Sequence, residues 1–130
     1  DGGRGALDGF RALDEDMKEG VLDYLSDMAP YDTVHVGERD YLLVHSGVNG
    51  YREGRDLDDY PAAAFYTDGE DTALSYPGMV MICGGRPAGA SFDGTSRIVY
   101  GQGIIELDCG AARGGRLGCL CLDTGEEYYV

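Results

Sequence analysis

Tryptophan is absent from this chain, and lysine occurs once, at Lys18. Only ten basic residues stand against 24 acidic ones, for a formal net charge of −14 over 130 residues. A field of that sign repels nucleic acid and anionic membrane surfaces, so neither is expected as a partner. It also disfavours phosphorylated ligands unless a cation reverses the local sign. No apolar run approaches the roughly 18 residues that a membrane-spanning helix needs. A basic stretch followed by an apolar one, the mark of a secretory signal, is missing as well. The chain reads as soluble and cytoplasmic. Its four cysteines, Cys83, Cys109, Cys119 and Cys121, include no C-x2-C pair of the kind that builds zinc sites. They are expected to be reduced, buried thiols, with Cys119 and Cys121 on one face of a strand through their alternation in "LGCLCL".

What is present is a globular composition, 43% hydrophobic and 26% charged, at a length that fits one domain or part of one. Phe10, Leu13, Met17, Val21, Leu25 and Met28 recur at spacings of three and four, which predicts a helix over about 15–28 with one apolar stripe. Asp14 is the expected N-cap, and Glu15 and Asp16 suit the positive end of the helix dipole. Pro30 ends the segment. A shorter helical turn is expected within residues 5–12.

Two β-rich runs then flank Gly37-Glu38-Arg39-Asp40 and predict a hairpin over 31–46. Its first strand alternates, with His35 facing solvent. Its second, Tyr41 to Val44, is apolar on both faces and belongs inside a sheet. Residues 47–77 read as mostly loop, with one helical turn at "PAAAFY". "GMVMICGG" predicts a further buried strand, and the tail reads as antiparallel strands joined by tight turns, so that strands occupy much of 78–130. The hairpin, this strand and the tail strands are expected to share sheet structure, with the helix packed outside.

Few residues carry chemistry. His45 is the leading candidate because it stands at the C-terminal end of a buried strand, where open α/β sheets place their ligands. Gly47 would let the chain pass close to a bound group. Gly114-Gly115-Arg116 precedes a strand rather than a helix N-terminus, so it reads as a turn and not a phosphate loop. Asp108 beside Cys109 suggests a catalytic pair only superficially. "DLDDY", Asp56 to Tyr60, lacks calcium-loop spacing and reads as a solvated loop.

"YLLVHSGV" resembles the "LVHAG" segment of the calcineurin-like metallophosphoesterases, in particular the serine/threonine protein phosphatase-like members. The tail "IIELDCGAARGGRLGCLCLDTGEEYYV" is similar to that family's closing "IDTGAxxGGRLxxLxL" pattern. The opening "DGG" and helix look like the segment after its "GNHE" motif. The resemblance implies an α/β architecture: the C-terminal portion of a four-layer αββα fold, with a mostly antiparallel or mixed sheet and an N-terminal helical segment. It implies hydrolysis of phosphate monoesters, on a phosphorylated protein or a small phosphoester, at a divalent metal pair of Mn, Fe or Zn. His45 would be a metal ligand. The family's "DxH", "GDxxDRG" and "GNHE" motifs supply the other ligands and the catalytic groups, and none occurs in this sequence, so no catalytic residue is assigned. The last family ligand, the His of "GHTP", is replaced: "CGGRP", Cys83 to Pro87, puts Gly85 there. Gly85 is therefore expected near His45, with Cα atoms within roughly 10 Å, the reach of two ligands on one metal pair. The chain alone is expected to be inactive. The alternatives are a non-catalytic pseudophosphatase and a β-rich protein-interaction domain.

Overall fold

The computed structural model describes residues 3–87 and 97–130. Two helices open the chain, α1 (Gly3–Arg11) and α2 (Glu15–Ser26). The Asp14 carboxylate accepts the Met17 N–H at 2.8 Å and caps α2 as expected. The helix ends two residues early, because Asp27 already turns out of it as the C-cap.

The centre is a five-stranded mixed sheet whose strands lie in the order Tyr31–Val36, Arg39–Val44, Met79–Pro87, Ile104–Asp108 and Val99–Tyr100. Strands β1 (Tyr31–Val36) and β2 (Arg39–Val44) form the predicted hairpin, closed by Gly37 and Glu38 alone, with Gly37 at φ 64°. The turn is shorter than its four polar residues implied, since Arg39 and Asp40 pair directly with Val36 and His35. His35 is exposed and meets the Asp40 carboxylate at 2.7 Å. Strand β5 (Met79–Pro87) lies parallel to β2, and β7 (Ile104–Asp108) lies parallel to β5. Only β6 (Val99–Tyr100) pairs with β7 in the antiparallel sense. The antiparallel tail strands expected from sequence are present within each pair, Val99–Tyr100 with Ile104–Asp108 and Gly118–Leu120 with Glu127–Tyr129, but the first pair joins the sheet by a parallel contact with β5. A turn between strands is visible in sequence, but the direction in which a distant strand docks is not.

The two sheet faces sort cleanly by residue parity. On one face Leu42, Val44, Met81 and Cys83 pack against Val48, Tyr60, Ala64 and Phe65, which come from the segment expected to be loop. That segment holds β3 (Val48–Asn49), a 3₁₀ turn at Leu57–Asp59, α3 (Ala63–Tyr66) and β4 (Thr72–Ala73). It is the crossover a parallel pair requires, since β2 and β5 cannot be joined by a tight turn. The aspartates of "DLDDY" are solvated as expected, but the segment is also part of this cover: Asp58 accepts the Tyr31 hydroxyl, which pushes that phenol up to about 12, and the Tyr60 ring is buried.

On the other face Tyr41, Ile82, Ile98, Ile105 and Cys109 are covered by Leu120, Leu122 and Tyr129. Leu120 and Tyr129 come from β8 (Gly118–Leu120) and β9 (Glu127–Tyr129), a separate two-stranded sheet laid on the first instead of extending it, and Leu122 comes from the turn between them. Its anchor is Tyr129, whose hydroxyl accepts the Ile98 N–H at 3.0 Å and donates to Glu127 at 2.5 Å. Tyr100 also donates to Glu127, and these two bonds hold that carboxyl below its ordinary range. Arg116 stacks on the Tyr129 ring with its guanidinium 4.2 Å from the centroid. The cysteines divide accordingly: Cys83 and Cys109 are buried thiols, but Cys119 is exposed and Cys121 half-buried.

One expectation fails outright. Neither α1 nor α2 buries a residue, and Met17 and Leu25 are each 54% exposed. The stripe spacing is real, but spacing sets which side chains share a face and not what covers them. In urea unfolding, Leu25→Ala is expected to change stability by no more than about 0.5 kcal/mol, against about 3–5 for Phe65→Ala, which is 1% exposed. Equal losses at the two positions would mean that α2 is packed in solution.

Candidate functional site

His45 follows the last residue of β2, at the C-terminal edge of the parallel strands. The next residue, Ser46, is 3% exposed and pins the chain by two bonds: its N–H donates to the Phe65 carbonyl at 3.1 Å, and its hydroxyl to the Tyr66 carbonyl at 3.3 Å. The Cys83 thiol donates to the Ser46 carbonyl at 3.3 Å, tying the turn to β5 as well. Gly47 has φ 153°, and a Cβ there would sit 2.6 Å from the Ala73 carbonyl oxygen. Its small size therefore admits β4, not a bound group.

Gly85 is brought to His45 as the sequence predicts. Its N–H donates to the His45 carbonyl at 2.7 Å, which places the two backbones at strand-pair distance, well inside the expected 10 Å. Strand β5 is irregular here: Cys83 pairs with Glu106 and Pro87 with Asp108, so Gly84, Gly85 and Arg86 stand opposite a single residue of β7. Such bulges re-aim a strand at the rim of a sheet. The His45 ring fills the space left by the missing side chain: a Cβ on Gly85 would lie 2.3 Å from its Cε1 and Nε2 atoms.

The ring itself is exposed and lies edge-on to Tyr66, with centroids 6.4 Å apart. It borders an open depression of about 440 Å³ lined by Ala29, Pro30, Tyr31, Asp32, Leu43 and Tyr66 among others. Of these only Asp32 carries a charge. Among the described residues no group of three His, Cys, Asp or Glu side chains could hold a metal ion. The donor set around His45, one imidazole with apolar and phenolic neighbours, does not fit the metal pair that the resemblance implies. The other motifs read as structure. Asp108 accepts the Gly110 N–H at 2.9 Å and makes the turn after β7, while Gly115 and Arg116 donate to the Gly110 and Cys109 carbonyls ahead of β8. What sequence reasoning missed is the Tyr66 ring beside His45; "PAAAFY" signalled a helical turn but not its position.

No family model, curated protein or solved structure matches the chain. No helix among the described residues is long and apolar enough to cross a membrane.

Because the ring stands where a residue-85 side chain would begin, Gly85→Ala is expected to swing it aside. In a ¹H–¹³C correlation spectrum the His45 Cε1–Hε1 peak should move while that of His35 stays in place. An unmoved His45 peak would show that the ring does not rest on Gly85 in solution.

Proposed function

We propose that this chain is the C-terminal portion of a four-layer metallophosphoesterase-like fold, acting as scaffold and not as a hydrolase by itself. The observation that carries this reading is the pairing of His45 with Gly85 at the C-terminal rim of β2 and β5. Two strands that the resemblance says should each bring a ligand to one centre do lie side by side. Their rim is also the end of a parallel sheet at which ligands bind.

The same pairing argues for inactivity. A two-metal phosphoesterase needs a pair of ions to clamp the phosphoryl oxygens and to generate hydroxide at neutral pH. One exposed imidazole beside a glycine cannot hold such a pair, and the acidic field of −14 repels a phosphorylated substrate in its absence. In this reading His45 is a surviving position of an ancestral centre. The Gly84-Gly85 bulge keeps the path of the ligand loop without its ligand.

The purified chain, assayed with 4-nitrophenyl phosphate and Mn²⁺, is expected to give rates equal to buffer, unchanged by His45→Ala. Metal-dependent turnover that disappears in His45→Ala would overturn the proposal.

A further inference from the structure

Strand β1 ends the five-stranded sheet, and among the described residues no strand pairs with its outer edge. A free edge presents a row of N–H and C=O groups that an incoming strand can complete. The Thr33 N–H marks which groups face outward. It donates to the neighbouring Asp32 carboxylate at 2.8 Å instead of entering the ladder with β2. Alternation puts the N–H groups of Tyr31 and His35 on the same side. Asp32 thus caps the middle of the edge with its own side chain.

Two open depressions flank this stretch. The first, about 420 Å³, opens between Thr33 and the crossover, where Leu57, Asp58 and Tyr60 line it. The second is the hollow of about 440 Å³ beside His45, with Asp32 and Leu43 in its lining. Each holds a carboxylate, and no Lys or Arg among the described residues lines either. Arg55, in the same crossover, is engaged by the Asp59 carbonyl and the Tyr60 ring.

Asp58 and Asp32 serve opposite faces of the sheet. Asp58 accepts the Tyr31 hydroxyl, and Tyr31 pairs with Val44 on the face that Phe65 covers. Asp32 pairs with Leu43, whose side chain belongs to the other face. Successive side chains of a strand added along the edge point to these two faces in turn. Two adjacent basic residues would therefore meet one carboxylate each. The new ladder replaces the bond from Thr33 to Asp32, which frees that carboxylate for the incoming cation.

We propose that the outer edge of β1 docks an extended basic segment of a partner protein, added as a sixth strand. Main-chain bonds to Tyr31, Thr33 and His35 supply affinity, and Asp32 with Asp58 sets the preference for adjacent Lys or Arg. Charge selects this occupant over a second copy of the chain, since two copies of net charge −14 repel one another. The edge acts in this way whether or not His45 belongs to an ancestral metal centre.

The test adds acetyl-Thr-Thr-Arg-Arg-Thr-Thr-amide to the whole chain and follows ¹H–¹⁵N spectra. The Tyr31, Thr33 and His35 amides are expected to shift together, and the Thr33 amide to exchange more slowly. With Pro replacing the Thr on each side of the Arg pair, one Pro meets the edge in either register and breaks the ladder. That peptide, of equal charge, should leave these amides unmoved. Asp32→Asn and Asp58→Asn keep an oxygen acceptor and should each weaken binding about three- to fivefold, the worth of an exposed ion pair. Glu70→Gln removes the same charge from a residue that lines neither depression and should change nothing. Equal binding of the Pro peptide, or equal weakening by Glu70→Gln, would reveal attraction by net charge alone and overturn the proposal. So would β1 amides that the first peptide does not move. A free chain already dimeric, with Thr33 protected, would overturn it too and assign the edge to a second copy.

Discussion

The parallel pairing of β2 with β5 is the constraint on which the rest of this structure depends. Its register, Asp40 with Met79 through Val44 with Cys83, aligns Leu42 and Val44 with Met81 and Cys83 on one face and Tyr41 and Leu43 with Val80 and Ile82 on the other. A slip of one residue would send each set to the opposite face. Because the strands run the same way, their C-terminal ends meet at one rim, where His45 and Gly85 follow in turn. Parallel pairing also demands a long crossover, and residues 45–78 supply it while covering one face with Phe65 and Tyr60. The site and half the core are therefore consequences of one strand direction.

The second face is closed by different means. A two-stranded hairpin is marginal alone, and β8–β9 gains its order by packing Leu120, Leu122 and Tyr129 onto the sheet. The rim of that contact is polar, and its groups are matched. Tyr129 bonds both the Ile98 amide and Glu127, Tyr100 bonds Glu127, and burial together with that bond pushes the Tyr100 phenol up to about 12. In a chain so rich in carboxylates, Glu127 is distinguished by donors that hold it in its charged form.

Much of this was legible from residues. The Asp14 cap, the alternation of β1 and the all-apolar run of β2 follow from local rules and stand in the structure. The approach of Gly85 to His45 came from a resemblance, and the register of β2 with β5 reproduces it. What the sequence hides is long-range. Ile104 to Asp108 reads the same whether it docks parallel or antiparallel, because side-chain alternation carries no direction. "PAAAFY" announces a helical turn, but nothing in those six residues says that Phe65 will sit under Val44. The stripe of α2 shows the opposite limit: an amphipathic pattern that buries none of its residues. Cys119 misled for a related reason, since a cysteine in an apolar run is buried only if its own face is.

The central claim is that β2 and β5 pair in parallel so that His45 and Gly85 share one rim. The hydrogen bond between them tests it most directly, through the scalar coupling across it from the Gly85 amide ¹⁵N to the His45 carbonyl ¹³C. The account predicts a measurable coupling, together with slow exchange of the Gly85 amide hydrogen. A rapidly exchanging Gly85 amide with no coupling to His45 would contradict it.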